Sequence, residues 1–322
     1  MKRSVQAVVP GSTSNLGPGF DLFGLAVDIY LRVTVTVEGD FRMAGTGSTQ
    51  WEVSWEGEGS APPDVVPTGA ENLVVRALGR VWDQAGVALD GRVRVMARSE
   101  IPTARGLGAS GAAVVAGLLA GEHLAEASLD RERLLALAVA EEGHPDNVTP
   151  SLYGGLTASA PLGPSGVLTH RDRLCEDYLL GALVPEFTVS TRLAREALPA
   201  EIAHSDAVAS QQRAFFLFRA LAEGRTDELA ALTGDILHEP YRARLIPACT
   251  DLLDLARERG AVAAWISGSG PTLFVLAEGD VGLLEGIGAA LIERWQAEGI
   301  ESRTLVLGPD DLGGAVHDVS PD

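Results

Sequence analysis

The chain has 322 residues, of which 46% are hydrophobic and 21% charged, and its formal net charge is −19. These values predict a sizeable core with room for two domains, and the negative charge argues against nucleic acid or an anionic membrane as a partner. Lys2 is the only lysine, which excludes a Walker A loop and Schiff-base chemistry, since both need a lysine in the site. An anionic ligand must therefore be held by backbone amides, arginines or metal ions.

The two cysteines, Cys175 and Cys249, lie far apart, so the sequence predicts neither a disulfide framework nor a zinc site. The first residues lack the long apolar stretch of a signal peptide, and no apolar run is long enough to span a membrane. The expected location is therefore the cytoplasm.

The first predicted elements are a strand at residues 4–9 and a loop at residues 10–21, where glycine and proline recur. The loop carries Asn15 and Asp21, whose residue types suit turn contacts or ligand contacts. Strands follow at 31–37 and 51–55, then a proline-rich connection at 60–69 and a helix at 71–85. Asn72, at the start of that helix, suits a cap or a ligand contact.

The central stretch begins with alternating residues 92–98, which predict a strand, and ends in small apolar residues that predict a buried helix. Pro102, Gly106, Gly108 and Gly111 lie between them. A glycine loop between a strand and a helix start points backbone N–H groups at an anion, and Ser110 can cap the helix or bind a metal ion. The stretch therefore predicts a loop for nucleotide phosphates. A dinucleotide fingerprint and a tight turn without ligand remain open alternatives.

A further helix is predicted at 129–142, and a dense polar run follows its end. The run contains carboxylates, an imidazole and an amide, on Glu141, Glu142, His144, Asp146 and Asn147. Glycine and proline also make it suitable as a helix stop. The density of polar side chains before an apolar segment nevertheless indicates a site.

Residues 162–166 are the best candidate for a domain junction. Beyond them strands are predicted at 178–184, 261–266, 273–276 and 303–307. Helices are predicted at 191–197, 207–221, 252–257 and 282–295. This order lacks the regular strand–helix alternation of a doubly wound sheet, so the second half is expected to be mixed.

Three patches, at residues 10–21, 102–113 and 266–272, resemble in order and spacing the motifs of the GHMP small-molecule kinases. The runs at 14–21, 143–147 and 238–242 are most similar to the branch that acts on the amino acid L-homoserine. The resemblance spans almost the whole chain. It implies an α+β fold with two domains, an ATP-binding domain at 1–163, similar to ribosomal protein S5 domain 2, and a ferredoxin-like C-terminal domain at 164–322.

The resemblance also implies the activity, which is ATP-dependent phosphorylation of the side-chain hydroxyl of L-homoserine to O-phospho-L-homoserine, a step toward threonine. The small-molecule partners would be ATP and L-homoserine, the cofactor Mg²⁺, and the oligomer a homodimer. Neither nucleic acid nor a membrane would take part. Residues implied in ATP binding are Asn72, Pro102, Thr103, Ala104, Arg105, Gly106, Leu107, Gly108, Ala109, Ser110, Gly111 and Ala112.

By the same resemblance, Ser110 and Glu142 would bind Mg²⁺ and, with Asn147, act in catalysis. Glu141 stays open as the alternative metal ligand. A guanidinium group can bind a carboxylate through two parallel hydrogen bonds. The resemblance assigns the binding of the substrate carboxylate to Arg195 and Arg242. The remaining implied substrate contacts are Asp21, which would take the ammonium, and Asn15, His144 and Asn147, the last near the reacting hydroxyl.

Two residues depart from the family's usual loop, which reads G-L-G-S-S-A-A. Ala109 replaces a serine and Gly111 an alanine, which removes a loop hydroxyl and slightly weakens the helix start. Asp146 is a candidate base by residue type, but a carboxylate of ordinary pKa is a weak base for an alcohol, so no base is assigned. Alternatives that stay open are another GHMP kinase with a different alcohol, a dinucleotide-dependent oxidoreductase, and a regulator that binds ATP without turnover.

Overall fold

The computed structural model describes residues 2–43, 48–58, 66–163 and 166–321. Two β-sheets with packed helices confirm the expected α+β class. The elements of the first half are, in chain order, β1 (Lys2–Ser14), β2 (Phe23–Met43), β3 (Thr49–Gly57), α1 (Leu73–Gln84), β4 (Val87–Ser99), α2 (Ala109–Ala125), α3 (Arg131–Glu142), α4 (Val148–Tyr153), β5 (Leu156–Pro161) and β6 (Val167–Asp172).

The second half carries most of the helices. Its elements are, in chain order, β7 (Tyr178–Pro185), α5 (Thr191–Glu196), α6 (His204–Glu223), α7 (Thr226–Leu232), α8 (Glu239–Arg242), α9 (Cys249–Glu258), β8 (Ala263–Ile266), β9 (Leu273–Glu278), α10 (Val281–Gln296), β10 (Ser302–Leu307) and β11 (Ala315–Asp318). None of the described helices combines the length and apolarity needed to traverse a lipid bilayer.

The larger sheet has seven strands in the order β11-β1-β2-β4-β3, and β5 and β6 extend it from the start of β2. β3 and β4 are parallel and are joined through α1, whereas β2 pairs antiparallel with β1 and β4. The helix α2 packs against α1, α3 and β1 and is buried on nearly all sides. Its small apolar residues suit this position, since a helix surrounded by protein has no polar face.

The first strand is longer than the sequence predicts, because residues 10–14 belong to β1 and not to a loop. The register between β1 and β2 shifts between Pro10 and Gly11. Such an irregularity tolerates proline, which cannot donate to the ladder. The predicted loop therefore begins only at Asn15, and the strand end holds Ser12 and Ser14 near the start of α2.

The smaller sheet has four antiparallel strands in the order β10-β7-β9-β8. α9 and α10 cover it around a second apolar cluster that contains Leu252, Leu291 and Trp295. Trp265 of β8 donates a hydrogen bond to Thr13 of β1 at 3.0 Å. This contact joins the two sheets next to the region that the three motifs occupy.

The expected domain junction lies in the hairpin between β5 and β6, where residues 164 and 165 fall outside the described residues. Both strands belong to the larger sheet, and the chain enters the smaller sheet at β7. β11 later returns to the larger sheet and pairs with β1. The division into 1–163 and 164–322 therefore stays a prediction. The proline-rich connection predicted at 60–69 falls largely on residues 59–65, which also lie outside the described part.

Candidate active site

A cavity of about 280 Å³ is lined by residues from both halves of the chain. The predicted site residues that line it are Asn15, Asp21, Asn72, Pro102, Thr103, Ala104, Gly106, Leu107, Gly108, Ala109, Ser110, Glu142, His144, Asn147, Arg195 and Arg242. Arg105, Gly111 and Ala112 do not line it. The structure thus brings together nearly all residues that the motifs point to.

The glycine loop enters α2 with its backbone in conformations that a side chain would prevent. Gly106 and Gly108 have φ values of 80° and 74°. A Cβ at Gly106 would collide with the carbonyl of Ser267, and one at Gly108 with the hydroxyl of Ser12. Gly108 is also the N-cap of α2 and provides no side-chain cap. The first N–H groups of α2 therefore have no partner within the helix and can bind an anion.

Residues of the first patch, 10–21, and of the third patch, 266–272, form hydrogen bonds with the backbone of this loop. Ser267 donates a hydrogen bond to the carbonyl of Gly106 at 2.6 Å, and the N–H of Ser12 donates to the carbonyl of Leu107 at 3.1 Å. Since both supports bind carbonyls, they leave loop N–H groups free to face a ligand. The short run at residues 266–272 thus holds the loop in shape.

The side chain of Arg105 does not line the cavity, whereas the ATP-binding prediction for this residue rests on the backbone of the loop. Its guanidinium donates to the carbonyls of Pro185 at 2.8 Å and Glu186 at 2.6 Å, at the end of β7. Its N–H groups are directed at the smaller sheet because two carbonyls are available there. The Arg105 side chain therefore ties the loop to that sheet, outside the cavity.

Ser110 and Glu142 meet beside the loop, where the serine hydroxyl donates to the carboxylate at 2.5 Å. Burial raises the pKa of Glu142, although the Ser110 hydrogen bond and the nearby His144 oppose this effect. Glu141 faces α1 instead and forms ion pairs with Arg76 and Arg80. Of the two carboxylates, Glu142 is the one that shares the cavity with Ser110.

His144 and Asp146 form a hydrogen-bonded pair on the cavity wall. Burial alone would lower the pKa of His144, but the Asp146 hydrogen bond and the surrounding carboxylates outweigh it and raise that pKa. Burial alone would raise the pKa of Asp146, yet the hydrogen bond and charge of His144 lower it. Asp146 is therefore a charged partner of His144 and a poor proton acceptor.

Asp21 and Arg195 form a two-pronged ion pair, with Nη2 to Oδ1 at 2.9 Å and Nη1 to Oδ2 at 3.0 Å. Asp21 has a left-handed backbone, φ 54°, and its N–H donates to Asn15 Oδ1 at 3.1 Å. A non-glycine residue adopts this conformation at an energetic cost, which recurs at functional sites. The local structure therefore fixes the Asp21 carboxylate toward Arg195.

Arg242 is more deeply buried and binds backbone carbonyls. Its guanidinium donates to Gly268 at 2.8 Å, and burial lowers its pKa. The guanidinium carbons of Arg242 and Arg195 lie 5.0 and 5.8 Å from the centre of the Phe20 ring. One aromatic ring thus supports both arginines through cation–π contact, and a planar anion could bridge them.

Three amide side chains that line the cavity are already engaged by the protein. Asn15 donates to the carbonyl of Gly268 at 2.9 Å, and Asn72 caps α1 by accepting from the N–H of Val74 at 3.0 Å. Asn147 donates to Ser14 at 3.1 Å and accepts from Ser12 at 3.0 Å. Each amide therefore shapes the site, and only its remaining hydrogen-bonding capacity is available to a ligand.

Several lining residues were not assigned to the site from the sequence. They include Ser14, Trp55, Val66, Pro67, Leu73, Ala113, Thr191, Gly268 and Ser269. The apolar members carry no sequence signal, because a residue that lines an apolar pocket looks the same as a core residue. Gly268 and Ser269 lie in the third motif, and Thr191 precedes Arg195 by one helical turn, so their positions could have been inferred.

Two family models match the chain, namely the GHMP kinases N terminal domain over residues 72–155 and the GHMP kinases C terminal model over residues 217–285. A homoserine kinase of Synechococcus is 39% identical over 97% of this chain and 95% of the relative. A homoserine kinase of Prochlorococcus marinus is 39% identical over 93% and 91%.

Solved structures show the same relationship. The homoserine kinase of Cytophaga hutchinsonii has a TM-score of 0.84 and 27% identity, with 98% of both chains covered. The mevalonate kinase of L. major, with a TM-score of 0.66 and 17% identity, shares the fold alone. These matches confirm the two-domain architecture that the motifs imply.

Proposed function

The chain belongs to the GHMP kinase family and, within it, to the homoserine kinases, and on this premise we propose that it transfers the γ-phosphoryl group of ATP to the side-chain hydroxyl of L-homoserine. The product is O-phospho-L-homoserine, a precursor of threonine. The observation that supports this activity most is that one cavity holds both an anion-binding helix start and the charged set of Asp21, Arg195 and Arg242.

The nucleotide phosphates bind at the start of α2. Phosphoryl transfer depends on positioning and on neutralising charge more than on covalent chemistry. The N–H groups that follow Gly108 supply fixed positive dipoles for this purpose. The same cavity is lined by the apolar side chains of Trp55, Pro67 and Leu73. They provide a surface against which a purine ring can pack.

Ser110 and Glu142 would hold Mg²⁺. A hydroxyl and a carboxylate are hard oxygen ligands, and Mg²⁺ needs only one or two protein ligands when phosphates and waters fill its shell. The buried Glu142 carboxylate has a raised pKa, so a nearby dication would stabilise its charged form. When bound, the ion neutralises charge on the phosphates.

The acceptor amino acid binds between Asp21 and the two arginines. Its carboxylate matches the planar guanidinium groups, and its ammonium matches the Asp21 carboxylate. His144 and Asn147 border the same space and orient the side-chain hydroxyl. The chain's own residues therefore act mainly by holding the acceptor oxygen in line with the phosphoryl group.

A general base is not required by this arrangement. Asp146 is paired with His144 and has a lowered pKa. Asn147 has no basic group. Since a phosphoryl-transfer transition state is loose, the hydroxyl proton can leave late, to a phosphate oxygen or to water, while Asn147 orients the hydroxyl.

The test is release of ADP from Mg-ATP in the presence of homoserine, serine, threonine, mevalonate or galactose, one at a time. Homoserine should give the highest kcat/KM, and the product should be O-phospho-L-homoserine. A response to mevalonate without one to homoserine would show a different GHMP kinase. Nucleotide binding without acceptor-dependent turnover would show a regulator, and oxidation or reduction of NAD(P) without ADP an oxidoreductase.

The homodimer and the cytoplasmic location remain predictions. Both rest on the resemblance.

A further inference from the structure

The two residues assigned to opposite charges of the acceptor are bound to each other in this structure. Asp21 and Arg195 form two parallel hydrogen bonds of 2.9 and 3.0 Å. They come from distant segments, the loop after β1 and the helix α5, and both line the cavity. Burial alone would lower the pKa of Arg195, but the bonds and charge of Asp21 raise it. Within the pair, the Arg195 guanidinium therefore takes the place of a ligand ammonium on Asp21, and the Asp21 carboxylate takes the place of a ligand carboxylate on Arg195.

Arg242 differs in this respect from Arg195. Its guanidinium donates to the carbonyls of Gly268 at 2.8 Å and Ala194 at 3.4 Å. Among the residues that the structure describes, no carboxylate forms an ion pair with it. The cavity thus contains one guanidinium that is already matched to a carboxylate and a second one that is not.

We propose that the acceptor binds by charge exchange with the Asp21–Arg195 pair, an inference that rests on the proposed function. The ammonium of the zwitterion replaces the Arg195 guanidinium on Asp21. Its carboxylate replaces the Asp21 carboxylate on Arg195 and also reaches Arg242. The ion pair between Asp21 and Arg195 is then replaced by two ion pairs with the ligand, and both protein side chains keep a partner of opposite charge.

This exchange selects ligands that carry both charges. A ligand with a carboxylate alone must separate the pair and leave Asp21 without its arginine, with His144 and Asp146 close by and the carboxylate of Glu142 in the same cavity. A ligand with an ammonium alone leaves Arg195 unmatched. About a third of each side chain is exposed, so solvent offsets part of the cost of leaving one member of the pair without its partner. Selection therefore occurs through the protein pair as well as through the ligand contacts.

The exchange predicts a crossed pattern of affinities. Asp21→Asn frees Arg195, so γ-hydroxybutyrate, which lacks the ammonium, should bind this variant about tenfold more tightly than the unaltered protein. Arg195→Gln frees Asp21, so L-homoserinol, which lacks the carboxylate, should bind that variant about tenfold more tightly. Homoserine itself should bind both variants more weakly.

The experiment is calorimetric titration of the three ligands into the protein saturated with Mg-ADP. The matched control is Arg192→Gln, since Arg192 lies on the same helix and its partner Glu196 is exposed; it should leave all three affinities unchanged. Mg-ADP affinity and the unfolding temperature show that each variant is folded, and either variant alone suffices if the other fails to fold.

Weaker or equal binding of γ-hydroxybutyrate to Asp21→Asn, or of L-homoserinol to Arg195→Gln, would overturn the exchange. Failure of the proposed function has a different signature, because the unaltered enzyme would then not phosphorylate homoserine. Failure of the exchange would leave that turnover intact and remove only the crossed pattern.

Discussion

The Ser110 hydroxyl donates a hydrogen bond to Glu142 at 2.5 Å, although 32 positions separate the two residues in the chain. This bond joins the start of α2 to the end of α3 beside the phosphate loop. The neighbouring Glu141 is directed at Arg76 and Arg80 of α1. Two adjacent carboxylates therefore have separate partners, and matched variants can distinguish their roles.

Glu142→Gln should impair use of the metal ion. Because the amide cannot supply a charged oxygen, we expect kcat/KM to fall by about 100-fold or more, and the Mg²⁺ concentration for half-maximal rate to rise. Initial rates measured across a Mg²⁺ titration check this. Glu141→Gln is the control and should leave the Mg²⁺ dependence unchanged while lowering stability by about 1 kcal/mol, since its arginine partners are half exposed. The reverse ranking would assign the metal to Glu141.

Gly108→Ala should damage nucleotide binding. The position has a left-handed backbone, and a methyl group would collide with the Ser12 hydroxyl. We expect a loss of Mg-ADP affinity of about tenfold or more, comparable to one lost charge-assisted hydrogen bond. Gly79→Ala in α1 is the control, because nothing lies within 4 Å of its added methyl group; it should raise stability by about 0.5–1 kcal/mol. Equal affinities of both variants would contradict a role for the loop.

Arg105→Ala should separate structural support from nucleotide contact. The guanidinium binds the carbonyls of Pro185 and Glu186, so its removal should lower the free energy of unfolding by about 1–3 kcal/mol. The KM for ATP should stay within about threefold, measured at a temperature where the variant is folded. A large rise in that KM without loss of stability would instead place the Arg105 guanidinium on the phosphates.

Glu239→Gln should change how stability depends on pH. Burial raises the pKa of Glu239 from 4.5 to about 8, although its hydrogen bond from the N–H of Ile266 opposes this. Between these two values the unfolded chain loses the proton and the folded chain keeps it, so this residue makes stability fall as pH rises.

The glutamine oxygen can accept the same hydrogen bond but does not titrate. The unfolding temperature of Glu239→Gln should therefore decline less between pH 4.5 and pH 8 than that of the unaltered protein. Thermal unfolding followed by circular dichroism across this range checks the difference. Parallel curves for the two proteins would mean that Glu239 is ionised in the folded state at neutral pH.

Most residues that the motifs single out line one cavity, because the motifs carry backbone requirements. Gly106 and Gly108 stand where only glycine fits, and Ser110 follows in the first helical turn. Asp21 and Arg195 come from segments far apart, and the resemblance alone indicated that they meet. Their mutual ion pair could not be predicted, since it depends on how α5 packs against the loop after β1.

Other features depend on tertiary packing that no local pattern encodes. Adjacent residues on a helix point about 100° apart, so only the position of α1 decides that Glu141 faces Arg76 while Glu142 faces Ser110. The amides of Asn72 and Asn147 look like ligand contacts in the sequence, yet both are engaged by the protein. Gly111 faces Asn147, whose Cβ would lie 3.1 Å from an added methyl group, so its departure from the usual alanine leaves more room for that side chain.

The pairing of β11 with β1 has a consequence for how the chain folds during synthesis. Residues 315–318 pair with the residues from Val5 to Val8 and complete an edge of the larger sheet, so that edge stays open until synthesis has passed residue 318. An open strand edge is a template for pairing with other nascent chains. In a chain that ends before β11, the residues from Val5 to Val8 therefore form an exposed strand edge, and such chains are expected to associate.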